Sequence, residues 1–383
     1  MFRKSTVNRL LAADLPSIQQ RRKICLTVTT DLTYDQRMIR ICTALSEAGY
    51  EVLLVGRVRK KTSNPLSSQP YSQKRLFTFF EKGKLFYAEY NIRLFFYLLT
   101  CKTDLVCAVD LDSILPVWLV SRFRKKHRVY DAHELFCEMK EIVTRPAIYR
   151  TWKRIERSCV PHFTKGYTVN HPIAEEFRRM YGVQYEVIRN VPFLRSFNTN
   201  IVKDNFIIYQ GSVNEGRSFE TLIPAMQWIN VPLLVCGDGN FMDQVKLLIK
   251  QYNVADKVVL KGLVAPEELW ELTQRALIGI TLFENNGLSN YLSLANRFFD
   301  YIHAGTPQLC VAYPAYTEIN NQLQIAVMVE DLSAETIARS INDMISNRDL
   351  YSTLRENCLV VRQRINWEIE KQTLISFYKK IFE

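Results

Sequence analysis

The alternation of short apolar segments with helix-spaced segments constrains the fold of this chain more than any other feature. The first unit consists of a β-branched run, KICLTVTT (23–30), a segment with helical spacing, QRMIRICTALSEAGY (36–50), and a second apolar run, EVLLVG (51–56). A strand, a helix and a strand in this order form a βαβ unit, whose strands lie parallel in one sheet. The sequence therefore predicts an α/β protein.

The alternation continues to about residue 190 and then starts again. Apolar segments predict further strands at 104–110, 127–132 and 166–170, and after the restart at 205–211, 232–237, 257–262, 277–283, 308–312 and 325–330. Helical spacing predicts helices at 114–123, 172–181, 218–229 (with a kink at Pro224), 242–253, 266–276 and 294–305. Between the two series, 191–205 has no clean period and is typical of a linker. We therefore predict two doubly wound, Rossmann-like domains that face each other across a cleft.

Length and composition agree with this organisation. The 383 residues exceed one ordinary domain, and 48% apolar with 23% charged residues is typical of globular proteins. The nine cysteines include no CxxC pair, which argues against a zinc site or a small disulfide framework and favours reduced thiols in the cytosol. The first 23 residues lack the continuous apolar run of a signal peptide, and the run LFFYLL (94–99) is too short to span a bilayer.

The charge is distributed unevenly along the chain. Residues 1–190 contain 33 Lys and Arg against 18 Asp and Glu, whereas the remaining residues contain 17 against 21. A basic half joined to a mildly acidic half indicates that one half meets an anionic partner. Nucleic acid, anionic lipid and phosphorylated substrates all remain open at this point, as does a merely solvated basic surface.

The first candidate site follows the predicted strand at 205–211. In open parallel sheets, ligands bind beyond the carboxyl ends of the strands. Gly211 ends the strand, Ser212 and Gly216 belong to the loop, and Arg217 stands directly before a predicted helix. A free helix N-terminus and an arginine suit a phosphate group, although an ordinary turn with a surface arginine is the alternative.

A second loop, CGDGN (236–240), follows the next strand. It contains Gly237 within a GxG motif but not the full GxGxxG, because position 242 is Met. A tight turn is therefore favoured over a dinucleotide-binding fingerprint, which disfavours a nicotinamide-dependent dehydrogenase.

The segment LANRFFDYIHAGTP (294–307) places an acid among aromatic residues. If each residue of this helix is rotated by 100° from the one before it, the polar side chains form a narrow stripe opposite the aromatic face. The stripe consists of Ser293, Asn296, Arg297, Asp300 and His303. Ser293 is the expected N-cap, and Gly305 with Pro307 ends the helix. We expect Asp300 to face the cleft; the alternative is a buried Asp300 pair with Arg297 or His303 that only stabilises the helix.

Two acidic or ionisable pairs follow predicted strands of the first half. His133 and Glu134 come after 127–132, and Asp110 and Asp112 come after 104–110. His133 suits acid–base chemistry or donation to a sugar hydroxyl, whereas its alternative is a purely structural histidine. The Asp110–Asp112 pair resembles a metal-binding DxD, but two carboxylates on a strand-end turn are common, so we expect no metal site.

Aromatic and basic residues are interleaved at 75–102, and a basic cluster follows at 122–128. The cluster consists of Arg122, Arg124, Lys125, Lys126 and Arg128. This pattern suits a membrane surface or single-stranded nucleic acid, with a core helix and basic flanks as the alternative. Because no nucleic-acid-binding motif is recognisable, we favour an anionic membrane surface and expect no nucleic acid.

Taken together, these motifs resemble the retaining GT-B glycosyltransferases of the large fourth family, especially those of bacterial surface-polysaccharide pathways. The resemblance extends from TTDLTYDQRMIR (29–40) through VYDAHELF (129–136) to FFDYIHAGTP (298–307), and NWEIEKQTLISFYKKI (366–381) looks like the family's final helix. It implies an acceptor-binding domain at 1–195, a nucleotide-sugar-binding domain at 196–365 and a C-terminal helix, 366–383, that returns to the first domain.

The resemblance also assigns roles to individual residues. Arg217 falls where the family's glycine–basic loop holds the donor diphosphate, Ser212 replaces a second basic residue, and Arg297 is a candidate to compensate. Asp300 falls at the second of two acids spaced eight apart, which binds the nucleotide ribose. Leu292 stands where the first acid is expected, with Asn290 or the backbone around Ser289 as possible replacements. His133 resembles the histidine near the transferred sugar. On the acceptor side we expect Asp110, Asp112, His133 and Glu134, and the donor-binding residues are expected to include Gly211, Gly216, Gly237 and Asn296.

The implied activity is metal-independent, retaining transfer of a hexose from an NDP-sugar to a membrane-proximal glycan or lipid-linked acceptor, with no bound cofactor. The expected location is the cytoplasm, at the inner face of the cytoplasmic membrane. Two alternatives remain open: an NDP-sugar epimerase on the same fold, and a catalytically weak scaffold in a polysaccharide-assembly complex.

Overall fold

The computed structural model describes residues 21–33, 35–59, 65–197 and 201–383. It contains two parallel sheets with helices on both faces, so the predicted fold of two doubly wound domains is confirmed. Residues 1–20, for which we expect no signal peptide, lie outside the described residues, as do 198–200 of the predicted linker.

The N-terminal domain is built around one of these sheets. Its strands are β1 Lys23–Thr27, β2 Glu51–Arg57, β3 Ser72–Leu76, β4 Leu105–Val109, β5 His127–Ala132, β6 Gly166–Thr168 and β7 Glu186–Val187. Its helices are α1 Gln36–Glu47, α2 Gly83–Thr100, α3 Ile114–Phe123, α4 Lys140–Val143, α5 Pro146–Cys159 and α6 His171–Tyr181.

The C-terminal domain repeats this plan. Its strands are β8 Ile207–Gln210, β9 Leu233–Cys236, β10 Val258–Gly262, β11 Ile278–Thr281, β12 Gln308–Val311 and β13 Ala326–Val329. The remaining helices are α7 Phe219–Ala225, α8 Met242–Gln251, α9 Pro266–Arg275, α10 Leu288–Tyr291, α11 Asn296–His303, α12 Pro314–Asn320, α13 Ala334–Ser346, α14 Arg348–Arg364 and α15 Trp367–Phe382.

The strand order places a switch point in each sheet. The orders are β3-β2-β1-β4-β5-β6-β7 and β10-β9-β8-β11-β12-β13, and every pairing is parallel. Chain order reverses direction between β1 and β4 and again between β8 and β11, which opens a crevice at the carboxyl ends of these strands. The loops that follow β1, β4, β8 and β11 therefore border the cleft.

The cores explain why these segments form strands. All five residues of β4 are buried, as expected for a parallel strand covered on both faces. In the N-terminal domain α2 and α3 cover one face of the sheet, while α1 and α15 cover the other. A third core fills the C-terminal domain between its sheet and α7, α8 and α13.

The last helix packs on the N-terminal domain. Trp367 and Phe377 are buried in the same apolar cluster as β1 and α1. Arg189 donates to the carboxylate of Glu370 at 3.0 Å, which fixes this helix beside β7. The domain limits at 195 and 365 stay a prediction.

The helix that contains Asp300 begins later than its sequence pattern predicts. Ala295 is extended and the helix starts at Asn296, so the expectation that Ser293 is the N-cap is wrong. The Ser293 hydroxyl instead donates to the carbonyl oxygen of Asn290. The predicted end is confirmed, because Gly305 adopts the left-handed conformation with φ 57°.

Candidate functional site

A cavity of about 250 Å³ lies between the two domains. It is lined by Arg37, His133, Glu134, Val169, Ile173 and Asn190 from the N-terminal half, and by Arg217, Phe283, Ser289, Asn290, Ser293, Leu294, Ala295, Asn296 and Arg297 from the C-terminal half. Of the residues predicted for the site, the structure therefore brings together His133, Glu134, Arg217, Asn290, Asn296 and Arg297.

Glycines allow two loops of the C-terminal domain to approach each other closely. Gly211, after β8, has φ 118°, and Gly237, after β9, has φ 154°. A Cβ atom on Gly237 would lie 1.8 Å from the carbonyl oxygen of Gly211, so no other residue fits there. Neither glycine lines the cavity; they shape the loop, with Ser212 and Gly216, that carries Arg217.

Arg217 and Arg297 meet at the ring of Phe283. Their guanidinium carbons lie 4.5 and 4.9 Å from the centre of that ring, and Arg297 also stacks on Tyr209 at 4.3 Å. Stacking on aromatic faces holds both cations in place without neutralising them. Because Arg297 lies beside Gly211, where a Cβ would be 3.8 Å from its guanidinium carbon, it borders the same loop as Arg217.

These two arginines have no acid in direct contact. Among the described residues, neither is in an ion pair, and Nε of Arg217 and Nη1 of Arg297 are buried without a hydrogen-bond partner. Burial and then the charge of Arg297 lower the pKa of Arg217, while the charges of Asp300 and Glu141 act on the pair only from a distance. A half-buried and a buried cation side by side are costly unless an anion binds between them, so this side of the cavity has the chemistry of a phosphate site.

Asp300 lies next to the cavity but does not line it. Its Oδ2 accepts a hydrogen bond of 2.9 Å from Nε2 of Gln210, at the end of β8. Burial raises the pKa of this half-buried carboxyl to about 6, against the opposing effect of Gln210 and the nearby Arg40. Gln210 is a site residue that the sequence pattern did not indicate.

The polar stripe predicted for α11 is correct only in part. Asn296 is exposed and Arg297 lines the cavity, but His303 is fully buried and its Nε2 lies 2.8 Å from the carbonyl oxygen of Ile365. Burial lowers the pKa of His303 to about 4. The expectation that His303 faces the cleft is wrong, because the α14–α15 junction covers the last turn of α11.

The N-terminal side of the cavity contains a paired network around His133. Asp110 receives the backbone N–H of His133 at 3.0 Å, and its other oxygen lies 3.2 Å from Nδ1 of the same residue. Asp110 adopts φ 58° and ψ 171°, a conformation that costs free energy for any residue except glycine and that is typical of functional sites. Asp110 therefore positions His133 rather than lining the cavity.

Arg37 completes this network and was not anticipated from the sequence. It donates to Oδ1 of the fully buried Asp131 and to Nε2 of His133, both at 2.7 Å. Its Nη1 has no partner among the described residues, and the side chain lines the cavity. Arg37 could have been identified from its position in the first turn of α1, which follows the loop at the carboxyl end of β1.

Two influences act in opposite directions on the charge of His133. Although burial disfavours the charged ring, Asp110 and Asp131 raise the pKa of His133 to about 10. Arg37 donates its Nε–H to Nε2 of His133, which requires that nitrogen to be an acceptor. The contact geometry corresponds to a neutral ring with its proton on Nδ1, facing Asp110.

The other two predicted acids differ in location. Asp112 is buried behind the cavity, where the hydroxyl of Thr29 donates to its Oδ2 at 2.5 Å, and burial raises its pKa to about 7. Glu134 lines the cavity, and burial with the charge of Asp110 raises its pKa to about 7. Within the described residues, the carboxylate of Glu134 has no hydrogen bond or ion pair.

The basic cluster at 122–128 connects the end of α3 to the start of β5, so it lies at the amino ends of the strands, away from the cleft. Arg124 caps the carbonyl oxygens of Leu98 and Cys101, Arg128 donates to that of His162, and Lys126 lies 4.0 Å from Asp104. Arg122 and Lys125 are exposed. Of this cluster, three residues thus already bind the protein itself.

The described residues form neither a membrane-spanning helix nor a cluster of metal ligands. None of the helices formed by residues 21–33, 35–59, 65–197 and 201–383 has the length and apolar character needed to cross a bilayer. Within the same ranges, no three histidine, cysteine or acidic side chains are grouped so that they could hold a metal ion.

The architecture is the GT-B fold, as solved structures with the same two-domain arrangement show. Sucrose-phosphate synthase from Thermosynechococcus elongatus has a TM-score of 0.80 at 19% identity, covering 94% of this chain and 99% of its own. WaaG, a glycosyltransferase involved in lipopolysaccharide biosynthesis, has a TM-score of 0.72 at 14% identity, with 92% and 98% covered. HepE of Anabaena, solved in complex with UDP-glucose, has a TM-score of 0.69 at 13% identity, with 94% and 99% covered.

The sequence match is confined to one part of the chain. Residues 192–358 match the family described as glycosyl transferases group 1. This segment contains Arg217 and Arg297, which line the cavity, and Asp300, which lies next to it. No curated protein matches the chain at a significant level.

Proposed function

We propose that the protein is a glycosyltransferase that takes a hexose from an NDP-sugar and transfers it with retention of the anomeric configuration. The observation that carries this proposal is the pair of stacked arginines, Arg217 and Arg297, which have no ion-pair partner among the described residues at the carboxyl end of the C-terminal sheet. The match of residues 192–358 to the glycosyl transferases group 1 family supports it.

The two arginines would bind the diphosphate and stabilise it as the leaving group. In the reaction, the bond between the anomeric carbon and the diphosphate oxygen breaks, and its electron pair leaves with the phosphate. The acceptor hydroxyl oxygen forms the new bond on the same face, and its proton passes to the departing phosphate oxygen. Fixed cations placed where this charge develops lower the barrier without a metal ion.

The remaining site residues would orient the donor. Asp300, aligned by Gln210, would accept the ribose hydroxyls, and His133, held by Asp110 and Arg37, would lie beside the transferred sugar. No protein nucleophile is required in this proposal. Closure of the two domains would exclude water and limit hydrolysis of the donor.

We place the acceptor on a membrane glycan or lipid-linked glycan, and the enzyme at the inner face of the cytoplasmic membrane in surface-polysaccharide synthesis. Exposed apolar side chains in the N-terminal domain support this, among them Phe79 at 61%, Phe96 at 64% and Phe123 at 80% exposure. Exposed aromatic residues among lysines and arginines are typical of interfacial proteins.

A scaffold without strong catalysis is the second candidate, because Ser212 and Leu292 replace charged groups that the resemblance leads us to expect. A turnover screen separates the possibilities. The purified chain is incubated with UDP-, GDP-, ADP- and dTDP-hexoses, with and without membrane glycolipid, and the products are analysed by mass spectrometry.

We expect acceptor glycolipid to gain the mass of one hexose and free nucleoside diphosphate to accumulate. Arg217→Met should abolish this product, whereas Arg339→Met, which removes an exposed arginine of α13, should not. Conversion of the donor without acceptor would indicate an epimerase. Absence of any turnover together with unaltered cellular function of Arg217→Met would support the scaffold.

A further inference from the structure

The position expected to carry the first donor-binding acid contributes no polar side chain to the cavity. Leu292 is 8% exposed and belongs to the apolar cluster of the N-terminal domain, against which Leu288 and Tyr291 also pack. Its carbonyl oxygen accepts a hydrogen bond of 2.8 Å from Nδ2 of Asn170. This segment is thus an interdomain contact, and a carboxylate that binds the donor sugar would have to come from another part of the cavity wall.

Glu134 is the one carboxylate among the cavity-lining residues that the structure describes. It enters from the opposite domain, and its position is fixed at the backbone, because His133 is bound through its N–H to Asp110 and Leu135 is fully buried. Asp131 is the partner of Arg37 and Asp110 that of His133, whereas Glu134 itself has no partner among residues 21–33, 35–59, 65–197 and 201–383.

The cavity is therefore polar in two different ways on the sides that the two domains contribute. Arg217 and Arg297 can hold an anion, while the unpartnered carboxyl group of Glu134 accepts hydrogen bonds from hydroxyl groups. The space of about 250 Å³ between them has room for one monosaccharide unit. A group with a diphosphate at one end and hydroxyls at the other is complementary to this arrangement.

We propose that Glu134 accepts hydrogen bonds from hydroxyl groups of the donor's sugar and so replaces, from the N-terminal domain, the acid missing at Leu292. This inference rests on the proposed function and deepens it. Donor recognition is then divided: the C-terminal domain binds the nucleoside diphosphate alone, and the sugar is recognised only when both domains contact it.

The test compares Glu134→Gln with Glu141→Gln as a matched control. Glu141 is exposed, lies near Glu134 and does not line the cavity, so the control removes the same charge from the same region. Calorimetry gives the Kd of UDP, GDP, ADP and dTDP, and then of the glucose, galactose, mannose and N-acetylglucosamine derivatives of whichever nucleotide binds.

Glu134→Gln should leave the Kd of the nucleoside diphosphate unchanged and weaken binding of the nucleotide sugar by about 10- to 100-fold, the range for a lost hydrogen bond to a charged group. Glu141→Gln should change neither. A donor analogue that lacks the hydroxyl bound by Glu134 should bind wild type and Glu134→Gln equally. Glu134→Asp, which keeps the charge but shortens the side chain, should show the same sugar-specific loss.

Equal weakening of both ligands, or an effect confined to the acceptor KM, would overturn the assignment of Glu134 to the donor sugar. These results are distinguishable from failure of the proposed function. In that case wild type would bind none of the four nucleoside diphosphates, and the assignment of Glu134 would fall with it.

Discussion

At the scale of single residues, the two sides of the cavity differ in how completely their charges are matched. Arg37 forms an ion pair with Asp131, and His133 contacts Asp110 through its backbone N–H and its Nδ1, so both side chains of the N-terminal network have acidic partners within the protein. Arg217 and Arg297 have no such partners among the described residues. Motifs predict Arg217, which lines the cavity, and Asp300, which lies beside it, and their roles stay a prediction. The Arg37–Asp131 pair joins residues 94 positions apart, which no local pattern indicates.

The half-buried carboxyl of Asp300 affects the stability of the fold and the proposed nucleotide binding in ways that can be measured separately. Because burial raises its pKa to about 6, the folded state holds this proton more tightly than the unfolded state. The charged form therefore costs stability, and this cost develops as the pH rises from the ordinary carboxyl pKa through about 6. Asn at this position keeps the hydrogen bond from Gln210 and removes the charge.

We expect Asp300→Asn to weaken nucleotide binding while its Tm equals or exceeds that of wild type at pH 8. The difference in Tm should shrink towards pH 5, where wild-type Asp300 becomes protonated. Thermal unfolding at several pH values, with calorimetry at pH 8, measures both effects. A variant that unfolds at pH 8 would show that Asp300 is mainly structural.

At the scale of secondary-structure elements, strands were predicted better than helix limits. β4 is apolar along its whole length and β8 is apolar up to Gln210, and both are predicted from the sequence, whereas β3, SQKRL, is polar and becomes a strand only by pairing with β2. The predicted start of α11 is wrong because serine is a common N-cap residue, whereas the chain stays extended at Ala295 and the helix begins at Asn296. Such choices depend on tertiary contacts that local sequence does not contain.

Helix α2 has an apolar outer face that its own domain does not cover. Leu85, Ile92 and Phe96 are 53%, 58% and 64% exposed, on the side opposite the buried Tyr90 and Leu94. An exposed apolar stripe on a helix of a basic domain is suited to the surface of an anionic bilayer.

Ile92→Ser with Phe96→Ser should reduce sedimentation with anionic vesicles at all salt concentrations, because apolar burial is lost. Arg122→Gln with Lys125→Gln should reduce it mainly at low salt, since exposed charges are screened. Leu247→Ser with Leu263→Ser, which alters exposed apolar residues of the C-terminal domain, is the control and should have no effect. Unchanged sedimentation of both test variants would leave α2 and the basic cluster without a membrane role.

At the scale of the whole molecule, the switch points of the two sheets place their loops on a common cleft. The two-domain α/β fold was predictable, because its signal recurs in every strand of the described chain except β3 and β7. That Glu134 lines the same cavity as the arginines of the other domain was not predictable, since it depends on how the domains meet. Likewise, Leu292 is informative only once its contact with the N-terminal core is known.

The most direct test of the central claim measures where the diphosphate binds. Calorimetry compares a nucleoside diphosphate with its parent nucleoside, for wild type, for Arg217→Met with Arg297→Met, and for the control Arg339→Met. We predict that the double variant loses at least about 100-fold in affinity for the diphosphate, because two charge-assisted contacts disappear, while its affinity for the nucleoside is unchanged. Undiminished binding of the diphosphate by the double variant would contradict the account.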